Sequence, residues 1–454
     1  MEAALVSGSL GFSMCDSMIA TGAHTLSGAT LFAKNSDREL GECQPFVQFP
    51  GALHPRGALV QCTHISIPQV AETYRVMGHS PWWVWGFEHG VNEHRVAIGN
   101  QSVFSREPVE EAPGLIGMDL VRLGLERGRD GREALEVMAT LLETFGQGGA
   151  GFAPGAGGYH NSFMIADPEQ AWVLETSGRR WAARRVDLEA LSNHLTLSSN
   201  WAIGSRDLES FARNRGFWDE PGRVDVARSY RNPNVPGCIS EGRLRRSREL
   251  LEGQRGRLSI ESLIGVLRDH GESRVAPPRE VDPGNEGYYT LCMHSEPVGT
   301  TTASMVASLP ADDTGPWAAW ISFATACTGI FMPVYVDGQL PAALAGDSRD
   351  PVEGSLWWQL YQLQEAVSED FERCIPLLRS GWAPLEEKID FERRNVESQT
   401  RAMMLAGDRD AASSLLTEFM CRTLCEVQDR AAELLQAVRT SGGASRRTLR
   451  AIKK

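Results

Sequence analysis

The chain has 454 residues, 42% hydrophobic and 23% charged, with 58 acidic against 45 basic side chains and a formal charge of −13. That length can bury a large core in one oversized domain or two, while the acidic balance leaves only short arginine runs to meet backbone phosphates and so sets aside a nucleic-acid surface. Nine cysteines spread from Cys15 to Cys425 without a CxxC pair, so neither a disulfide framework nor a zinc ribbon is expected.

Met1 to Ser13 is small, polar and weakly patterned, and reads as a tail or short leader rather than a signal peptide. Met14 to Ala20 and Leu31 to Arg38 read as adjacent strands joined by a turn containing Gly22, Ser27 and Gly28. Their pairing returns Lys34, Asn35, Asp37 and Arg38 to the side of Cys15. A cysteine with a basic group and a carboxylate beside it is the minimum for a nucleophile of lowered pKa; the alternative is a small buried hydrophobe. Pro45, Pro50 and Pro55 break the next stretch into short strand pieces. Trp82, Trp83 and Trp85 then form either an apolar wall for a substrate or part of the core. A turn at Gly90 to His94 precedes a strand, Val96 to Ile98, that ends in Gly99-Asn100. His89 and His94 have no third ligand at metal-binding spacing, and no metal or other cofactor is expected.

Apolar residues at helical spacing mark Pro113 to Arg127 and Arg132 to Phe145 as amphipathic helices, the second stopping at Gly146. The period then changes. Ser162 to Ala166, Ala171 to Glu175 and Arg180 to Arg184 read as an antiparallel meander, and helices followed by a meander suit layered sheets with helices outside. Gly216 to Pro236 is a long excursion, and Arg243 to Arg248 a basic run at a helix start. Tyr289 to His294 is strand-like, with Cys292 and His294 on one face as a rival cysteine/histidine pair. Thr300 to Leu309 and Trp317 to Thr325 complete the strands. Helices over Gly354 to Val367, Glu386 to Leu405 and Ala411 to Val438 suit scaffold or subunit contact, which leaves a homo-oligomer open. The boundaries that follow are a leader at 1–14, a core at 15–337 and a helical extension at 338–454. With neither a signal peptide nor a bilayer-spanning run, a cytoplasmic protein with no membrane partner is expected.

Four blocks carry a family resemblance: Cys15-Asp16 with Phe32 to Arg38; Trp82 to His94 with Val96 to Asn100; Tyr159 to Asp167 with Ala171 to Thr176; and Cys292 to Glu296 with Thr300 to Met305. In their order and spacing the chain resembles the cysteine branch of the N-terminal nucleophile (Ntn) hydrolases, within it the C69 dipeptidase and secernin group. The resemblance implies an α+β fold, a four-layer αββα sandwich of antiparallel sheets, here with added C-terminal helices. It implies that Cys15 is the nucleophile, exposed as the first residue by self-cleavage or by initiation at Met14 and methionine removal. The free amine, with a reference pKa near 7.7 to 8.0, then serves as general base. Asp37 matches the aspartate that orients this amine or thiol. Asn100 matches a residue on the oxyanion side, or is a strand-end cap; Asn193 matches a second asparagine near the nucleophile, or satisfies a turn. Lys34 stands where acylase relatives carry arginine, which keeps the charge but loses the planar fork. Arg38 complements a substrate carboxylate or only Asp37, and Trp83 belongs to the candidate substrate wall. A site arginine is expected at Arg243 or Arg246.

The function expected is amide hydrolysis through a thioester, with a dipeptide as substrate. A small N-acyl or penicillin-like amide is the alternative within the same chemistry, and a non-enzymatic secernin-like interaction protein the alternative outside it.

Overall fold

The computed structural model describes residues 14–149, 151, 158–272, 277, 282–346 and 349–441. The leader expected over residues 1–13 and the tail expected from residue 442 lie outside them.

The fold is α+β, built on two antiparallel sheets. The first runs in the order β14 (Leu188–Leu191), β1 (Met14–Ala20), β2 (Thr30–Arg38), β17 (Gly299–Leu309), β18 (Ala319–Phe323) and β19 (Met332–Val334), with β16 (His294–Ser295) also on β17. The second runs β15 (Ile203–Gly204), β13 (Arg180–Val186), β12 (Ala171–Ser177), β11 (His160–Ala166), β10 (Ala97–Val103), β9 (His89–Asn92), β8 (Val76–His79) and β3 (Phe46–Phe49). Two small hairpin-like pairs, β4 (Ala52–Leu53) with β7 (Glu72–Thr73) and β5 (Leu59–Gln61) with β6 (Ser66–Pro68), stand off the second sheet.

Strands β1, β2, β10, β11 and β12 are buried along their whole length. Strand β1 lies against β10 and β11. Gly99 makes that approach possible: a Cβ there would stand 2.6 Å from Lys34 Cδ and 2.9 Å from Phe32 Cζ.

Helices α1 (Gly117–Arg127) and α2 (Gly131–Phe145) cover the second sheet, joined in one apolar cluster with Ile98, Phe163 and Leu174 through Val121, Leu135 and Met138. The α2 start is fixed by Asp130, whose carboxylate accepts the Arg132 and Glu133 amides at 2.9 Å, satisfying donors the helix cannot. The α1 start falls at Gly117, four residues inside the Pro113 expected from periodicity, since Leu115 and Gly114 bond instead to the Gly146–Gly148 segment. Short helices α3 (Leu208–Asn214) and α4 (Val226–Tyr230) lead to α5 (Glu241–Glu252) and α6 (Ile260–Leu267), which pack on the first sheet.

The C-terminal helices are α7 (Leu356–Ser368), α8 (Phe371–Leu405) and α9 (Arg409–Ser441). Helix α8 starts well before the expected Glu386 and contains Pro376 and Pro384. Proline in a helix interior costs about 3 kcal/mol, and the buried face of Ile375, Leu378 and Trp382 offsets it; Trp382 also donates to Thr328 O at 3.0 Å. The expected strand at Tyr289 to His294 is likewise reduced to β16. The Asn35 side chain takes the Leu291 carbonyl at 2.7 Å, a position a ladder partner would occupy. Cys421 and Cys425 lie on the exposed face of α9. Among the described residues no helix is long and apolar enough to cross a membrane.

Candidate active site

Register brings the expected group together. Met14 pairs with Asp37 and Cys15 with Ser36 across β1 and β2, so the side chains of Asp37 and Lys34 are carried back along the sheet to the start of β1. A bulge in β17 between Thr301 and Ala303 falls beside Asp37, and bulges re-aim side chains. Thr301 Oγ1 donates to Asp37 Oδ1 at 2.6 Å.

The Cys15 thiol is fully buried, with Lys34 Nζ at 3.2 Å and Glu88 Oε2 at 3.8 Å. The Cys15 backbone N–H donates to Asn193 Oδ1 at 3.1 Å. Asn193 is held in turn by Ser102, whose carbonyl and hydroxyl both accept from Nδ2 at 3.0 Å. Arg243 settles the choice left open between two arginines: it is buried beneath Cys15, donating to Asn193 Oδ1 at 2.6 Å and pairing with Asp16. Arg246 pairs with Asp269 instead, at 2.9 Å.

Asn100 enters from β10. Its amide faces the Asn161 side chain at 3.0 Å and can donate to Glu88 O and Oε2 at 2.9 and 3.0 Å. Arg38 is turned inward, to Glu42 Oε1 at 2.8 Å and Glu88 Oε1 at 3.4 Å. Its charge is therefore met by Glu42 and Glu88; Asp37 is paired with Arg243 instead, at 3.8 Å. Trp83 is half-buried, donates from Nε1 to Glu42 Oε1 at 3.3 Å and packs on Val84, Ile116 and Met118, which attaches the tryptophan wall to the Arg38 end of the group.

Glu88 is the residue that sequence reasoning missed. It lies inside the tryptophan-to-histidine block, but only the fold shows it bridging Lys34 at 3.4 Å and Arg38 at 3.4 Å. Seven ionisable side chains are buried together here: the cations Lys34, Arg38 and Arg243 and the carboxylates Asp16, Asp37, Glu42 and Glu88. Burial pushes Asp37 up to about 8 against the pull of Arg243. At neutral pH Asp37 therefore keeps its proton, which lessens the buried negative charge in this group.

The thiol departs from expectation. Burial pushes Cys15 up to about 11, against the lowering effect of Lys34, where the sequence suggested a lowered value. With its nitrogen in a peptide bond, Cys15 is therefore held as the neutral thiol at pH 7. Burial disfavours the Lys34 charge, but Cys15 and Glu88 outweigh it and raise its pKa, so Lys34 stays an ammonium and is no base toward the thiol.

A second cysteine/histidine group lies beyond Asp37. His294 Nε2 stands 3.6 Å from Cys292 Sγ and 3.2 Å from Cys327 Sγ, with His270 alongside. Met293 and Thr301 link it to Asp37: the Thr301 hydroxyl accepts the Met293 N–H at 2.9 Å and donates to Asp37 Oδ1.

Residues 14–221, a little under half of the chain, match the model of peptidase family C69. Among solved structures, a variant of conjugated bile acid hydrolase from Clostridium perfringens superposes with a TM-score of 0.43 at 12% identity, covering 74% of this chain and 95% of that one. Penicillin V acylase from Agrobacterium tumefaciens gives 0.41 at 13% identity, over 71% and 86% of the two chains. An N-acylethanolamine-hydrolyzing acid amidase ortholog from Caenorhabditis elegans gives 0.28 at 12% identity, over 64% and 92%.

Proposed function

We propose that the protein is a cysteine-dependent amide hydrolase of the four-layer αββα Ntn type, active once Met14 has been removed from Cys15. The observation that carries this reading is the state of Cys15 in the intact chain. Its nitrogen and thiol already contact Asn193 and Lys34, yet burial holds the thiol protonated, and the carboxylate beside it, Glu88 Oε2 at 3.8 Å, is engaged by Lys34 and Arg38. A free amine at that nitrogen supplies the missing base. Asn193 Oδ1 would keep accepting from it, and Asp37 Oδ2, which accepts no hydrogen bond in the intact chain, would take a hydrogen that the peptide lacks.

In the reaction the amine takes the thiol proton and the thiolate adds to the scissile carbonyl. The oxyanion collapses with transfer of the proton to the leaving nitrogen, giving a thioester and an amine. Water, deprotonated by the same amine, then releases the acid. Lys34 steadies the thiolate by charge, and Arg243 holds Asn193 and Asp16 in place. Asn100, expected at the oxyanion, must exchange a contact with Glu88 or Asn161 to serve there.

The environment of Met14 favours an N-acyl amide with an apolar acyl group over a dipeptide. The Met14 side chain is fully buried among Ile239, Tyr288, Tyr289, Met293 and Val298. Met14 is the acyl side of its own bond to Cys15, so the space it vacates lies where a substrate acyl group would enter, and that space is apolar and aromatic. A dipeptide's charged amine has no matching carboxylate in that apolar set, and the dipeptide reading rests on the family match alone.

Intact mass, followed by mapping of an acylating thiol probe and assay of N-acyl amides beside dipeptides, tests the proposal. A chain beginning at Cys15, labelled there, with acyl-amide hydrolysis lost in Cys15→Ala by at least about 10³-fold, is expected. A chain that retains Met14, unlabelled at Cys15 and inert toward both substrate classes, overturns it and moves the interaction-protein reading forward.

A further inference from the structure

We infer that His270, Cys292, His294 and Cys327 form a tetrahedral site for a zinc-class divalent cation, separate from the Cys15 group and structural in role. The sequence conceals it. The ligands are spread over three segments with no metal-binding spacing, and the pair Cys292 and His294 alone resembles a dyad.

The donor set is two sulfurs and two imidazole nitrogens, all within 4.8 Å of one another. In a tetrahedral site with Zn–S of about 2.3 Å and Zn–N of about 2.0–2.1 Å, sulfur and nitrogen ligands stand about 3.5 Å apart. His294 Nε2 is 3.6 Å from Cys292 Sγ and 3.2 Å from Cys327 Sγ. Thiolate and imidazole together suit zinc or iron, and disfavour magnesium and calcium, which take oxygen. Four protein donors leave no open position, as in structural rather than catalytic sites.

The backbone around the ligands is tied so that they converge. Asp269 O accepts the Cys292 N–H at 3.0 Å, joining the first two segments. The Asn35 side chain reaches from β2 to Leu267 O and Leu291 O at 2.9 and 2.7 Å, one residue before Cys292. Arg268 Nε donates to Ala326 O at 2.9 Å, one residue before Cys327. Phe371, the first residue of α8, closes the group, 5.7 Å from the His270 ring and 5.5 Å from the His294 ring. A cation here would pin the α6 end, the loop after β18 and the α8 start to the first sheet.

The test is metal analysis of the full chain purified under reducing conditions without added chelator, then incubated with equimolar zinc and desalted. About one zinc per chain is expected, released by a thiol-blocking mercurial. The double variant Cys292→Ser/Cys327→Ser should fall below about a tenth of an equivalent, while Cys421→Ser, on the exposed face of α9, keeps the full content. Cobalt substituted into the wild-type chain should show thiolate charge-transfer absorption with intense tetrahedral visible bands, a readout that does not depend on a variant folding. Less than a tenth of an equivalent in the wild type, or a Cys292–Cys327 disulfide in protein purified without reductant, overturns the proposal.

Discussion

Glu88 shows how the candidate site is held at the level of single side chains. One carboxylate faces Lys34 and Arg38, both fully buried, and approaches the Cys15 thiol. Removing one partner of a buried pair leaves an uncompensated charge and costs about 3–5 kcal/mol. Glu88→Gln is therefore expected to lower unfolding free energy by about 3 kcal/mol in urea, and to lower the Cys15 thiol pKa, because one carboxylate that raises it is gone. A variant with unchanged urea midpoint and unchanged pH profile of thiol alkylation would remove Glu88 from this role. The sequence made Cys15, Lys34 and Asp37 legible because neighbouring strands bring them together within forty residues. Glu88, Arg243 and Thr301 reach the same point from distant segments, and no local pattern distinguishes Glu88 from a turn glutamate or Arg243 from its neighbours in the basic run. The elevated thiol pKa was hidden for a related reason: charge can be read from sequence, but the burial that opposes it cannot.

At the scale of elements, periodicity located strands β1, β2, β11, β12, β13 and β17 and helices α1, α2, α7 and α9, but it read a turn at Gly90 to His94 where β9 runs and gave no sign of β14 or α6. It failed where a side chain or a tertiary contact competes with the backbone pattern, as Asn35 does at Leu291 and the buried face of α8 does at its prolines. The start of α1 is another such place, and it bears on the site. A Cβ on Gly117 would collide with the Asn161 side chain and stand 2.8 Å from the Asn100 amide. The helix thus begins against the back of Asn100, and its first residue needs to be bare. Gly117→Ala should displace Asn100 and Asn161, lowering kcat about 10²-fold if Asn100 donates to the oxyanion, with a smaller effect on KM. The comparison is Gly265→Ala, in α6, where a Cβ meets nothing within 4 Å and the exchange should add a few tenths of a kcal/mol of stability. If Gly117→Ala slows turnover no more than Gly265→Ala does, the helix start plays no part in placing Asn100.

Over the whole molecule, buried ionisable groups set how stability changes with pH. Burial pushes Asp37 from 3.8 to about 8 and Glu175 from 4.5 to about 7, and it raises Asp16 and Glu42 as well. Between the ordinary and the raised values the folded chain keeps protons that the unfolded chain has released, so this contribution is fully present near pH 4 and is lost as pH rises to about 8. Buried histidines act in the opposite sense. Burial lowers His79 to about 3 and His160 and His194 to about 4, so the unfolded chain binds protons that the folded one refuses, and stability is gained up to about pH 6.5. The two effects oppose each other below that point, and above it the histidine contribution is complete while the raised carboxylates still titrate. The urea midpoint should therefore fall steadily from pH 6.5 to 8.5. Asp37→Asn, which cannot ionise, should flatten the fall between 7.5 and 8.5, while Glu175→Gln should flatten it mainly below 7.5. A midpoint that is level or rising across this range in the unmodified chain would mean that Asp37 is already ionised at neutral pH, and would remove the proton that the Cys15 group is described as holding there.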